Sequence, residues 1–198
     1  MAKEREKNMS NIAILALCAM ISVNPTIYIA GDSRTVAMEA VVNDGDVNFI
    51  AECGAGYDHL RDLAVPYICS NASKDDIVVL QYGVNDTYHT EEYVREANKL
   101  SDNGYCVYFV SVNPVIDEKS RYVKNEDIDK FNEYVKTHLS ENVRWIETNA
   151  AIRSSFKSTD GIHYTDETTK EIYRIIQKTV GLPPSTVMIG KNYYYVED

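Results

Sequence analysis

A serine hydroxyl, an imidazole and a carboxylate can together break an acyl bond. The imidazole takes the hydroxyl proton, the carboxylate fixes its tautomer, and nearby amides receive the charge developing on the carbonyl oxygen. This chain carries those residue types in four short blocks: Gly31-Asp32-Ser33, Cys53-Gly54-Ala55-Gly56, Gly83-Val84-Asn85-Asp86 and Asp160-Gly161-Ile162-His163. Ser33 is the candidate nucleophile, His163 the candidate base, and Asp160 the carboxylate that orients it. The backbone amide of Ser33, the side-chain amide of Asn85 and the backbone amide of Gly56, with Gly54 as the alternative, are candidate oxyanion donors. Each block alone is weak. A serine after glycine and aspartate is a common helix cap, Gly-x-Gly a common turn, and D-x-x-H a frequent accident.

The elements that must position these blocks make them specific. Five apolar, β-branched runs, TIYIAG, VNFIAE, DIVVLQYG, YCVYFVSV and VRWIET, read as strands buried on both faces, since their apolar residues run on without alternation. Helical spacing fills the intervals. It covers YDHLRDLAVPYI, TEEYVREANKLSDNG with Thr90 as N-cap and Gly104 closing it, NEDIDKFNEYVKTHLSE, and DETTKEIYRIIQKTVG stopped by Gly181. Strands alternating with helices predict an α/β fold, with a parallel five-stranded sheet and helices on both faces. Ligands bind such sheets at the carboxyl ends of the strands. Three of the four blocks come directly after a predicted strand, and the fourth sits just before the last helix.

In that order and placement, the blocks resemble those of the SGNH/GDSL hydrolase superfamily of esterases and lipases. Ser33 matches the Ser block, here GDS followed by Arg rather than Leu. Gly56 or Gly54 matches the Gly block, Asn85 the GxND block, and Asp160 with His163 the DxxH block. The resemblance covers about residues 26–180 and implies a flavodoxin-like three-layer α/β/α sandwich. It also implies an acyl-serine mechanism with neither metal nor organic cofactor. TIYIAGDS is similar to the opening of carbohydrate O-acetylesterase-like members, which implies a small-molecule or polysaccharide ester as substrate.

Around the blocks, Arg34, Gly54, Tyr57, Tyr88, His89 and Tyr164 are candidate substrate contacts, the tyrosines because a phenol packs on a sugar face and bonds with its hydroxyl. Asp32 and Asp86 read as loop braces, and His59 and His138 as solvated helix residues. No long insertion separates the blocks, so the cleft is expected to be open. That suits a short acyl group on a bulky polar alcohol. A lipase, lysophospholipase or thioesterase acting on longer chains is the second enzyme reading. Two readings lie outside catalysis: a glycan-binding relative without activity and, from two glycines of CGAGYDHL, a nucleotide-binding module lacking the third glycine.

A formal net charge of −10 in 198 residues argues against nucleic acid as a partner, since phosphate contacts need clustered Lys and Arg. The chain divides into an N-terminal segment 1–25, a hydrolase-like domain 26–182 and a tail 183–198. IAILALCAMISV is too short to span a bilayer and fits a signal-peptide core, so export is favoured over an extra packed helix. Cys18, Cys53, Cys69 and Cys106 form no CxxC pair and are expected as buried thiols rather than disulfides or metal ligands. Oligomeric state is not specified by any of these features.

Overall fold

In the computed structural model, which describes residues 25–42 and 44–181, the five apolar runs become strands. They are β1 Ile27–Gly31, β2 Val47–Ala51, β3 Ile77–Gln81, β4 Cys106–Val110 and β5 Arg144–Ile146. All pair in parallel in the order β2-β1-β3-β4-β5. The helices are α1 Ser33–Val42, α3 Thr90–Asp102, α4 Asn125–His138, α5 Asn149–Ile152 and α6 Asp166–Val180. Between β2 and β3, helix α2 starts as Tyr57–His59, passes through a π-helical turn Leu60–Ala64 and ends as Val65–Asn71.

The unbroken apolar runs are explained by two cores. Successive strand side chains point to opposite faces. Ile27, Ile29, Ile77, Val79, Tyr108 and Val110 pack with Met38 of α1 and Ile172 and Ile176 of α6. Tyr28, Ala30, Val78, Leu80, Val107 and Phe109 pack with Leu60 and Ile68 of α2, Tyr93 of α3 and Phe131 of α4. The result is the expected three-layer α/β/α sandwich. The edge strands depart from the expectation of burial on both faces: Asn48 of β2 and Arg144 of β5 are exposed, because the helical layers cover the rim of the sheet less fully than its centre.

Two local expectations need correction. Thr90 is the first residue of α3 rather than its cap; His89 caps it, without a side-chain bond. The short helix α5 has too few residues to show a periodicity. Cys53 and Cys69 are exposed and Cys106 half-buried, all three free. They lie in the turn after β2, on α2 and at the first position of β4, where Cys106 packs partly buried against one core. Cys18, the signal-like segment and the tail 183–198 lie outside the described residues. Among the described residues no helix is long and apolar enough to cross a membrane.

Gly83 shows how tightly the strand ends are packed. Its φ is +114°, and a Cβ there would stand 2.5 Å from Phe131 Cζ and 2.9 Å from Val112 Cγ2. Backbone strain and overpacking coincide, so Gly83→Ala is expected to destabilise the fold by about 2 kcal/mol or more. In thermal denaturation this lowers Tm by roughly 4–8 °C.

Candidate active site

Parallel register brings the blocks together. Gly31 stands opposite Ala51 on one side and Gln81 on the other. The chain therefore leaves β1, β2 and β3 at one rim of the sheet, carrying Ser33, the Gly54–Gly56 turn and Asn85 to the same edge. Ser33 opens α1, so its amide has no carbonyl within the helix to bond. The same geometry leaves the Gly56 amide outside α2, which Gly56 caps.

The fourth block arrives from the far end of the chain. Ser158 and Tyr164 form an antiparallel bridge. Within it the Thr159 amide and the Ser158 hydroxyl both donate to the His163 carbonyl, at 2.9 and 2.7 Å. Asp160 Oδ1 accepts from the amides of Ile162 and His163 at 2.8 and 2.7 Å. Its other oxygen lies 2.7 Å from His163 Nδ1, and His163 Nε2 lies 2.9 Å from Ser33 Oγ. An imidazole donating from Nδ1 to a carboxylate keeps Nε2 free to accept the serine proton. Residues 130 apart in sequence thus meet in one relay.

On the other side of Ser33, Asn85 donates from Nδ2 to the Ala55 carbonyl at 2.8 Å. That bond uses one of the two amide hydrogens and orients the group. Asp86 braces the wall, as the sequence suggests. It accepts from the Tyr57 amide at 2.7 Å and from the Tyr93 hydroxyl at 2.6 Å, so it joins the loop after β3 to the start of α2. Its carboxylate lies against Gly56: a Cβ there would come within 2.9 Å of Asp86 Cγ. Glycine at 56 is therefore required by packing against Asp86, a reason invisible in the sequence.

A cleft of about 380 Å³ opens on this wall, lined by Gly54, Gly56, Tyr57, Asn85, Tyr88 and His89 and also by Glu52, Asp58 and His59. Six of the sequence-derived candidates therefore share one cavity. The last three carry no signal as site residues, because helical or turn spacing does not reveal which side a polar residue faces. His59 is half-buried rather than solvated. Its Nδ1 lies 2.8 Å from the hydroxyl of the buried Tyr82, and burial pulls its pKa down. His138 is exposed and stacks on Tyr134.

Arg34 and Tyr164 are not in the cleft. Arg34 is buried and donates from Nε to the Ile162 carbonyl at 3.1 Å and from Nη1 to the Asn113 carbonyl at 2.9 Å. Its Cζ sits 4.8 Å from the centre of the Tyr164 ring, and the Tyr164 hydroxyl donates to the Pro114 carbonyl at 2.5 Å. Both residues hold the loop that carries His163, and Ser33, Asp160 and His163 likewise stand outside the lining of that cleft.

The charges reflect these partners. Burial alone would push the Asp160 carboxyl up, but the bonds from the His163 ring and from the His163 and Ile162 amides outweigh it and hold it well below the usual carboxylate range. Asp32 is buried beneath Ser33; desolvation pushes it up to about 6, against the pull of the Arg34 charge and the 2.8 Å bond from the Arg34 amide. Among the described residues no group of three or more His, Cys, Asp or Glu side chains is placed to hold a metal ion.

No family model matches the chain, and no curated protein matches it. Solved structures do. A GDSL-like lipase from Bacteroides thetaiotaomicron superposes with TM-score 0.62 at 14% identity, over 79% of this chain and 87% of that one. An acetylxylan esterase from Geobacillus stearothermophilus, in a catalytic-mutant form, gives 0.60 at 14% identity, over 82% and 97%. The catalytic domain of a peptidoglycan O-acetyltransferase from Streptococcus pneumoniae gives 0.59 at 14%, over 79% and 93%. The chain has the fold of these proteins.

Proposed function

We propose that this chain is a serine ester hydrolase of SGNH type, its hydrolase domain spanning residues 26–182. It removes short acyl groups, acetyl first among them, from a carbohydrate or another polar alcohol. The observation that carries this reading is the Ser33–His163–Asp160 relay, with contacts of 2.9 and 2.7 Å, set at the same rim as Gly56 and Asn85.

Ser33 Oγ attacks the ester carbonyl carbon while His163 Nε2 takes its proton. The oxyanion is received by the amides of Ser33 and Gly56 and the free hydrogen of Asn85. Collapse breaks the bond to the alcohol oxygen, which leaves with the proton from His163. Water, deprotonated by His163, then cleaves the acyl-serine, so one ester and one water yield one acid and one alcohol. Asp160 holds the imidazole in orientation throughout.

Short acyl groups and polar alcohols are favoured because the cleft walls carry Glu52, Asp58, His59, Asn85, Asp86 and His89, with Ala55 the sole aliphatic side chain among them. A long acyl chain finds little apolar surface there. The acetylxylan esterase and the peptidoglycan O-acetyltransferase among the structural neighbours support acetyl on a glycan. The test compares p-nitrophenyl acetate with p-nitrophenyl octanoate, alongside acetate release from acetylated glycans and fluorophosphonate labelling. Faster turnover of acetate and labelling that requires Ser33 are expected; faster octanoate turnover would move the reading to a lipase.

Asn85→Ala removes one oxyanion donor. It is expected to lower kcat by about 10²–10³ while KM stays within a few-fold. Steady-state kinetics on p-nitrophenyl acetate measure both, and a rise in KM at unchanged kcat would give Asn85 a binding role only.

A further inference from the structure

The loop after β3 ends in a feature that the hydrolytic relay does not use. Tyr88 is 77% exposed, and its ring stands 4.4 Å from that of His89, centre to centre. Tyr88 lines the 380 Å³ cleft beside Asn85. It also lines a second cleft, of about 340 Å³, whose other walls are Thr87, Thr90, Asp127, Lys130, Phe131 and Tyr134. The tyrosine is thus a ridge between two adjoining hollows. Each hollow falls at the lower end of the roughly 300–1,000 Å³ range of small-molecule sites.

The second hollow joins aromatic rings to hydrogen-bonding groups. Tyr88 and Tyr134 offer ring faces over the buried Phe131, while Thr87, Thr90, Asp127 and Lys130 offer donors and acceptors. Such a mixture suits a ligand with apolar faces and a hydroxylated rim. A sugar ring can lie on the phenol faces while its hydroxyls meet these groups. Lys130 is partly neutralised by its 2.6 Å bond to Glu126, and the first cleft carries carboxylates but no Lys or Arg. The pair of hollows therefore favours an uncharged chain over an acidic one.

We propose that the two clefts form one extended binding face for a neutral glycan chain. The acylated sugar lies beside Ser33, and a neighbouring sugar lies across the Tyr88 ridge in the second cleft. This rests on the hydrolase reading above and adds that the preferred substrate is polymeric.

The test measures kcat/KM for acetate release from acetylated xylose, xylobiose and xylotetraose, with p-nitrophenyl acetate and p-nitrophenyl octanoate alongside. A rise of about tenfold from monomer to tetramer is expected. Tyr88→Ala should bring the tetramer-to-monomer ratio down to near one, and Tyr88→Phe, which keeps the ring, should retain the rise. Because Tyr88 is exposed, neither substitution threatens the fold. A ratio near one in the unmodified protein overturns the proposal, as does a rise that survives Tyr88→Ala. A preference for octanoate that Tyr88→Ala removes also overturns it, by putting an acyl chain in the second cleft. No turnover of any ester, p-nitrophenyl acetate included, removes the hydrolase reading itself.

Discussion

Ser33→Ala is expected to lower kcat by about 10⁵–10⁶, leaving only the residual acceleration that binding and oxyanion donors give. The substitution removes the attacking oxygen, and nothing else at the rim replaces it. His163→Ala should cost nearly as much, since its Nε2 is the group 2.9 Å from the hydroxyl. The double variant should cost little more than either single one, because nucleophile and base act as one unit. Pre-steady-state acetate release and fluorophosphonate labelling on purified, folded protein measure this. Full turnover by Ser33→Ala would remove the mechanism, and additive losses would separate the two residues into independent roles.

Asp160→Asn is expected to lower kcat by about 10³–10⁴. Among the described residues Asp160 is the sole hydrogen-bond partner of His163 Nδ1, and no backbone carbonyl there holds the ring in its place. An amide at 160 can present its NH₂ to that nitrogen, which favours the tautomer with the proton on Nε2, where it cannot accept from serine. The backbone bonds from Ile162 and His163 reach Oδ1, so the loop keeps its shape and the loss falls on kcat. Since these bonds hold the carboxyl well below its ordinary value of 3.8, Asp160 stays ionised as pH falls into the carboxylate range. The acid limb of kcat/KM in the unmodified protein is then expected to carry no step from the Asp160 carboxyl. The stability linked to Asp160 is present above the unfolded carboxyl's value and lost as pH drops from there through the depressed folded value. A pH–rate profile with two protons on the acid limb would contradict this assignment.

The sheet and the residues of the relay were legible for a common reason. Ile27 to Gly31 and Ile77 to Gln81 are buried along their whole length, so their runs had no polar interruption. Parallel sheets place the loops leaving such runs at one rim. Ser33, Gly56 and Asn85 lie just past strand ends, and the Asp160–His163 spacing fits one turn of loop. Side-chain direction was not legible. Arg34 adjoins Ser33 in sequence, yet the start of α1 turns it inward; Tyr164 adjoins His163 and likewise points to the core. Glu52, Asp58 and His59 carry no spacing signal; Glu52 enters the cleft from the end of β2, and Asp58 and His59 from the first turn of α2. The exposure of Cys53 and Cys69 is not legible either, because frequent burial of the residue type says nothing of a turn or a helix surface.

The buried guanidinium of Arg34 leaves the chain one residue after the serine and grips the carbonyl one residue before the histidine. It is a cross-tie between opposite ends of the polypeptide. Together with the Tyr164 bond to the Pro114 carbonyl, it holds Ser33 and His163 at a separation that the long stretch of backbone between them would not set by itself. Neither Tyr57 nor Tyr88 is among the partners of this tie, so under the hydrolase reading changes at the tyrosine-bearing wall are expected to alter what is bound without blunting the alignment of what reacts.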